Sequence, residues 1–161
     1  MFSAGQTVLY GANGVCRIEE ITTRKVGSVK TEYYVLKPVW AESSTLYVPT
    51  GNETLVSRMR YVTTADRLRE ILADREFKLE WIDNKIERGE YFRGIISRGD
   101  CRELIALVRL LHEHSESVSA QGKRLHITDE RILREAEKMA GDDAATSLGV
   151  TREEALELII G

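Results

Sequence analysis

The hydrophobic pattern of this sequence changes its period once, near Thr63 and Thr64. Before that point, short segments alternate apolar and polar residues and are separated by Gly, Asn or Pro, as expected of β-strands joined by turns. After it, apolar residues recur every three to four positions, which is typical of amphipathic helices. The change predicts an α+β protein with a β domain over residues 1–62 and an all-α domain over residues 63–161.

The β domain is predicted to contain five short strands. Segments over residues 7–10 and 15–21 flank the turn Gly11-Ala12-Asn13-Gly14, where Gly and Asn permit a positive φ. The third and fourth strands are predicted at residues 32–37 and 44–48, with a hairpin turn at 26–29, and residues 55–56 with 59–62 supply the extended pieces of the last strand. Five strands in such a short stretch indicate a small, strongly bent sheet or open barrel.

The second domain is predicted to contain about five helices, from its apolar spacing and its capping residues. Thr63-Thr64, Asp100 and Thr151 are candidate N-caps, and the last two have Glu three residues later, as in a capping box. Thr128 is expected to begin a helix that Gly141 ends. Gly89 interrupts the apolar pattern that precedes Asp100.

Composition and charge indicate a globular cytoplasmic protein. The chain of 161 residues is 42% hydrophobic and 30% charged, and its formal net charge of −3 argues against a strongly basic nucleic-acid binder. No run of 18 apolar residues is present, so no segment is expected to span a membrane, and no secretory signal is recognised. Cys16 and Cys101 are expected to be free thiols in a reducing compartment.

The charges are distributed unevenly along the chain. Residues 128–161 carry four basic and nine acidic residues, whereas residues 75–110 carry eight and seven. The acidic excess therefore lies near the C-terminal end, and the middle of the chain is free to meet an anionic partner.

The sequence contains no arrangement that supports catalysis or metal binding. A phosphate-binding lysine loop, a dinucleotide-binding glycine motif and a nucleophile elbow are all absent. His112 and His114 are two residues apart on a predicted helix and point to different faces, so they are interpreted as solvated surface residues. We therefore expect no catalytic residues, no metal site and no cofactor. A small enzyme with an unrecognised site is the rival hypothesis.

Two aromatic residues allow both a structural and a functional interpretation. Trp81 lies among charged residues; a tryptophan at helical spacing is more often part of a core, but these charges also fit a position at the rim of a surface. Tyr47, close to Pro49 on a short strand, fits either a core position or an exposed sheet edge. Such an edge is a template for a partner's strand.

Several motifs together resemble the CarD family of bacterial transcription regulators. No single motif is specific to the family, but the order and spacing of the motifs are specific. Together the motifs cover nearly the whole chain. The first domain is also similar to the polymerase-interacting part of transcription–repair coupling factor, whose helicase motifs are absent here. The motifs are Gly5-x-x-Val8-x-Tyr10 with Gly14-Val15, Glu32-Tyr33-Tyr34-Val35-Leu36, Tyr47-Val48-Pro49, Trp81, and Ser97-x-Gly99-Asp100.

The resemblance implies a Tudor-like first domain that binds the β subunit of bacterial RNA polymerase. The matching positions for this contact are Arg24, Tyr47, Val48 and Pro49, with Tyr47 standing where some family members have an arginine. The resemblance also implies a monomeric accessory regulator without catalytic activity, whose helical domain stabilises the open promoter complex.

For promoter DNA, the resemblance implies a contact in the minor groove at the upstream edge of the melted region. Trp81 matches the family tryptophan that wedges into the groove. Lys85, Arg88 and Arg93 are the basic residues expected to hold phosphates, although Ile82-Asp83-Asn84 separate them from Trp81 as an insertion would. The alternative is a polymerase-binding adaptor whose helical domain contacts another protein, which the acidic C-terminal region would suit.

Overall fold

The computed structural model describes residues 1–41 and 43–161, and the chain forms two compact units, Met1–Val62 and Thr63–Gly161. The first unit is an antiparallel sheet and the second is helical, so the predicted α+β class is confirmed. Among the described residues, no helix is both long enough and apolar enough to span a membrane.

Unit 1 is a five-stranded sheet in which each pair of neighbouring strands is antiparallel. Its spatial order is β4-β3-β2-β1-β5, so that β4 and β5 form the two edges. The strands are β1 (Thr7–Tyr10), β2 (Val15–Val26), β3 (Val29–Pro38), β4 (Leu46–Pro49) and β5 (Met59–Tyr61).

The long hairpin formed by β2 and β3 turns at Gly27, whose φ of 64° requires a residue without a Cβ. Its register shifts between Ile18 and Glu20, where β2 contains one extra residue. Ile18 lies opposite the buried Leu36 and is itself buried, whereas beyond the shift it is the odd-numbered Ile21 that lies opposite the core residue Tyr34. The bulge therefore places Arg24 on the face opposite the core.

One face of the sheet is covered by an apolar core. It contains Val8, Cys16, Ile18, Tyr34, Leu36, Val48 and Met59. Residues 55–56, predicted to be extended, instead belong to the short helix α1 (Glu53–Val56). Asn52 caps this helix by accepting a hydrogen bond from the N–H of Leu55, and Leu55 and Val56 pack against the core.

Unit 2 contains five helices, as predicted. Local caps account for most of their first residues: Thr64, Asp100 and Thr151 each accept a hydrogen bond from a backbone N–H three residues later. Thr151 and Glu154 form the complete capping box. The helices are α2 (Ala65–Ala73), α3 (Lys85–Arg98), α4 (Cys101–Ser119), α5 (Ile127–Leu148) and α6 (Arg152–Ile160).

Two glycines do not have the roles that the sequence predicted. Gly89 does not interrupt α3, and Gly141 does not end α5, which begins at Ile127 and continues to a left-handed Gly149 with a φ of 67°. Gly141 is buried against α6, and a Cβ there would lie 3.4 Å from Leu156. Gly141 therefore lies in the contact between α5 and α6, where a Cβ would be at ordinary contact distance.

Three buried acidic residues hold unit 2 together. Asp143 accepts hydrogen bonds from the backbone N–H and the hydroxyl of Thr63 at 2.8 and 2.7 Å, which fixes the start of the unit. Asp142 forms an ion pair of 2.7 Å with Arg152 of α6. The third, Asp129, belongs to the site described below.

Candidate functional site

Unit 1 presents β4 as an exposed edge. This strand is the first in the sheet order and pairs with β3, so its outer side can accept another extended segment. Tyr47 is 43% exposed, whereas the side chain of Val48 is fully buried in the core. The predicted contact of Val48 with a partner is therefore one that its backbone would make by strand pairing.

A cluster of two exposed residues, Arg24 and Tyr47, and the half-buried Tyr33 lies beside this edge. The guanidinium of Arg24 donates a hydrogen bond of 3.0 Å to the Tyr47 hydroxyl and lies 4.6 Å from the centroid of that ring. Tyr33 packs edge-on against Tyr47, with the ring centroids 6.1 Å apart. We call Arg24, Tyr33 and Tyr47 the sheet patch.

The contribution of Tyr33 to the sheet patch was not predicted from the sequence. Tyr33 and Tyr34 are adjacent on β3, and side chains of adjacent strand residues point to opposite faces. Tyr34 belongs to the core, so Tyr33 must face the other side. The alternation was visible in the sequence, but the choice of face depends on the core that the strands build.

In unit 2, Trp81 lies in a segment without helix or strand, residues 74–84. Arginine side chains hold both ends of this segment. Arg109 of α4 donates to the carbonyl of Asp74 at 3.2 Å, and Arg88 of α3 donates to the carbonyls of Ile82 and Asp83 at 2.8 and 3.1 Å. The segment is therefore fixed by hydrogen bonds rather than by regular structure.

The first turn of this segment is organised by Asp74. Its carboxylate accepts hydrogen bonds from the backbone N–H groups of Glu76 and Phe77 at 3.0 and 3.2 Å. These bonds hold the pKa of Asp74 below its ordinary value. Phe77 in turn lies under the guanidinium of Arg102, 5.4 Å from its ring centroid.

The indole of Trp81 is half-buried, so it is neither a core residue nor a freely exposed one. The imidazole of His114 stacks on it with the ring centroids 3.6 Å apart and an interplanar angle of 18°. Phe92 meets it at 6.2 Å and 61°. The guanidinium carbon of Arg88 lies 4.5 Å from the ring centroid.

Arg88 is the clearest correction to the predicted DNA-binding residues. Its side chain is 5% exposed and forms two hydrogen bonds, of 3.0 and 2.8 Å, with the equally buried carboxylate of Asp129 on α5. Its remaining terminal nitrogen is used by the carbonyls of Ile82 and Asp83. Arg88 therefore supports Trp81 and its segment and is not available to a phosphate.

We call Trp81, Arg88, Phe92, His114 and Asp129 the Trp81 clamp. His114 was interpreted from the sequence as a solvated surface residue, and Asp129 was not singled out. Neither could be paired with Trp81 from spacing, because they lie 33 and 48 positions away on other helices.

Lys85 and Arg93 are exposed on α3, as a phosphate contact requires. Lys85 is the first residue of the helix, directly after the cap Asn84. The guanidinium of Arg93 lies back over Gly89, where a Cβ would be 3.1 Å from it. Gly89 therefore leaves room for Arg93 to fold toward the N-terminal end of α3.

Metal-ligand chemistry finds no support in the geometry of the described residues. No group of three or more His, Cys, Asp or Glu side chains among them could hold an ion. Cys16 and Cys101 are both buried.

Unit 1 is a small sheet with an exposed edge strand and an adjacent arginine–tyrosine patch, and such an edge can accept an extended segment of another protein. Residues 2–60 match the family described as the CarD-like/TRCF RID domain. Unit 1 is therefore a CarD-like RNA polymerase-interacting domain, and the predicted recognition is confirmed for this part of the chain. This domain family is non-enzymatic and interacts with RNA polymerase. No curated protein matches the chain.

Proposed function

We propose that the protein is an accessory transcription regulator that binds the β subunit of bacterial RNA polymerase and stabilises the open promoter complex. The observation that carries the proposal is the match of residues 2–60 to a polymerase-interacting domain. Because this partner is cytoplasmic, we place the protein in the cytoplasm, where it acts as a monomer without a cofactor.

Polymerase binding is assigned to the β4 edge and the sheet patch. The backbone of Tyr47 and Val48 adds to an extended segment of the β subunit, and Pro49 limits the length of that pairing. Arg24 contributes charge complementarity. Its hydrogen bond to Tyr47 supports this assignment, because it orients the guanidinium beside the edge.

DNA binding is assigned to Trp81, with Lys85 and Arg93 at nearby phosphates. An apolar ring inserted at a base step unstacks it and favours a distorted duplex. Such a contact recognises shape more than sequence, since the minor groove offers a degenerate pattern of donors and acceptors. The half-buried indole and the two exposed basic side chains support this assignment.

The alternative function is an adaptor whose helical unit contacts another protein. The acidic excess of residues 128–161 favours it. However, three of these nine acidic residues, Asp129, Asp142 and Asp143, are buried, so the surface of this region is less acidic than its sequence indicates. We therefore retain DNA as the preferred partner of unit 2.

A DNA-binding measurement tests the choice between DNA and a protein as the partner of unit 2. The full chain is titrated against a short duplex with an upstream bubble junction over a range of salt concentrations. Two phosphate contacts, from Lys85 and Arg93, predict a log–log slope of about −2. Capture of RNA polymerase on the immobilised full chain is measured in parallel. Polymerase capture without salt-dependent DNA binding would assign unit 2 to a protein partner, and failure of capture would refute the proposal.

A further inference from the structure

The orientation of the Trp81 side chain cannot be set by its backbone alone, because residues 74–84 form neither helix nor strand. In a helix or a strand, neighbouring backbone restricts a side chain to a few directions. Here the direction depends on the side chains that contact the indole.

The contact with His114 differs in kind from the other contacts in the Trp81 clamp. Phe92 is fully buried and meets the indole at 61°, so it supports one part of the ring from the core. His114 stacks nearly parallel on the indole at 3.6 Å and comes from a different helix, α4. This stack restricts rotation of the indole plane.

We propose that His114 is a positioning residue that holds Trp81 ready for DNA, an inference that rests on the proposed function. A side chain that is already ordered loses less freedom on binding. Removal of the stack therefore weakens the DNA contact about three- to tenfold, the range expected for one side chain that must be ordered on binding.

Fluorescence tests the stack without DNA. Trp40 and Trp81 are the two tryptophans of the sequence, so Trp40→Phe in the full chain leaves Trp81 as the reporter. His114→Ala in this background should shift the emission to longer wavelength and increase quenching by acrylamide about twofold, because water reaches the uncovered ring. His114→Phe, which keeps a planar ring, should restore both signals.

His112→Ala is the matched control, since His112 lies on the same helix and its ring nitrogen lies 3.8 Å from the Glu116 carboxylate instead. It should leave emission and quenching unchanged. Unchanged Trp81 signals in His114→Ala, or no recovery in His114→Phe, would overturn the proposal. A fall in melting temperature without a fluorescence change would likewise assign His114 a purely structural role.

The lifetime of the open complex, measured with polymerase and the same full-length variants, tests the functional part. We expect His114→Ala to shorten it about three- to tenfold and His114→Phe to restore it. If Trp81→Ala shortens the lifetime and His114→Ala does not, the positioning role is refuted and the proposed function stands. If neither variant changes it, the proposed DNA contact itself is refuted.

Discussion

The two units hold their candidate binding residues in different ways. In unit 1 the sheet patch lies on an exposed face, and the hydrogen bond between Arg24 and Tyr47 joins two surface side chains. In unit 2 the Trp81 clamp is built on the ion pair between Arg88 and Asp129, in which both side chains are 5% exposed.

This difference determines how far function and stability can be separated. A surface patch on a completed sheet can change without disturbing the core beneath it. In contrast, loss of one partner of a buried ion pair leaves an uncompensated charge, which destabilises the whole surrounding structure. Mutations in unit 1 should therefore affect binding alone, and mutations in the Trp81 clamp should affect binding and folding together.

The largest effect is expected for Asp129→Ala, which leaves Arg88 buried without its carboxylate. Breaking such a pair costs roughly 3–5 kcal/mol. For a unit of this size, that loss lowers the Tm by more than about 10 °C. Thermal unfolding followed by circular dichroism measures it, and Trp81 emission should change as the clamp loosens.

Glu130→Ala is the control for this experiment. Glu130 is the next residue of α5 and pairs with Arg134 on the surface. An exposed pair of this kind contributes roughly 0–1 kcal/mol. Equal losses of stability in the two variants would contradict the view that the clamp depends on a buried ion pair.

The second effect is that of Trp81→Ala on open-complex lifetime. Loss of one aromatic stacking contact costs roughly 1–3 kcal/mol, equivalent to a lifetime about five- to 150-fold shorter. Because the indole is half-buried, its loss should cost less stability than the roughly 3–5 kcal/mol of a core aromatic residue. Capture of polymerase should be unchanged.

Melting and lifetime should be measured on the same Trp81→Ala protein. If the variant melts as a core mutant does, and its folded fraction supports a normal open-complex lifetime, then Trp81 belongs to the core alone. That result would show that the Trp81 clamp has a structural role only, in contrast to the sheet patch.

The third effect is that of Arg24→Glu on polymerase binding. Reversal of one exposed interface charge costs on the order of 1 kcal/mol, or about fivefold in affinity, mainly through slower association at low salt. The Tm should stay within the range of an ordinary surface change. Titration of polymerase against the labelled full chain measures the affinity.

Lys25→Glu provides the matched control, because adjacent residues of β2 point to opposite faces of the sheet. The same charge change on the other face should leave the affinity nearly unaltered. If both variants weaken binding equally, net charge rather than the sheet patch attracts the polymerase.

The smallest effect is expected for Gly141→Ala. The added Cβ would lie at ordinary contact distance, 3.4 Å, from Arg152 and Leu156, and alanine favours a helix over glycine by about 1 kcal/mol. We therefore expect a stabilisation of up to about 1 kcal/mol in denaturant unfolding. Gly149→Ala should instead cost about 1–2 kcal/mol, because its φ of 67° is left-handed. Equal signs for the two glycines would contradict these assignments.

The sequence predicted those features that depend on neighbouring residues. The caps Thr64, Asp100 and Thr151 are local, and so is the hairpin turn around Gly27. The exposed edge at Tyr47 was one of two alternatives, and the sheet order decided between them.

The failures at Gly141 and Arg88 involve distant partners. Gly141 matches the local pattern of a helix end, but it lies inside α5 where α6 packs against it. The local sequence around Arg88 is typical of a phosphate-binding residue. The fold, however, places Asp129, 41 residues later in the chain, within hydrogen-bonding distance of its guanidinium. Tertiary contacts of this kind override local propensity, and a single sequence does not display them.

The extra residue of β2 between Ile18 and Glu20 also has an evolutionary consequence. Ile18 pairs with Leu36 and Glu20 with Val35, so loss of Glu19 would restore a regular ladder and leave Arg24 opposite Thr31 on the same face. A homologue without the extra residue should therefore carry its docking arginine one position closer in sequence to its equivalent of Ile18. An alignment that places no gap there would pair the wrong residues along the rest of the hairpin.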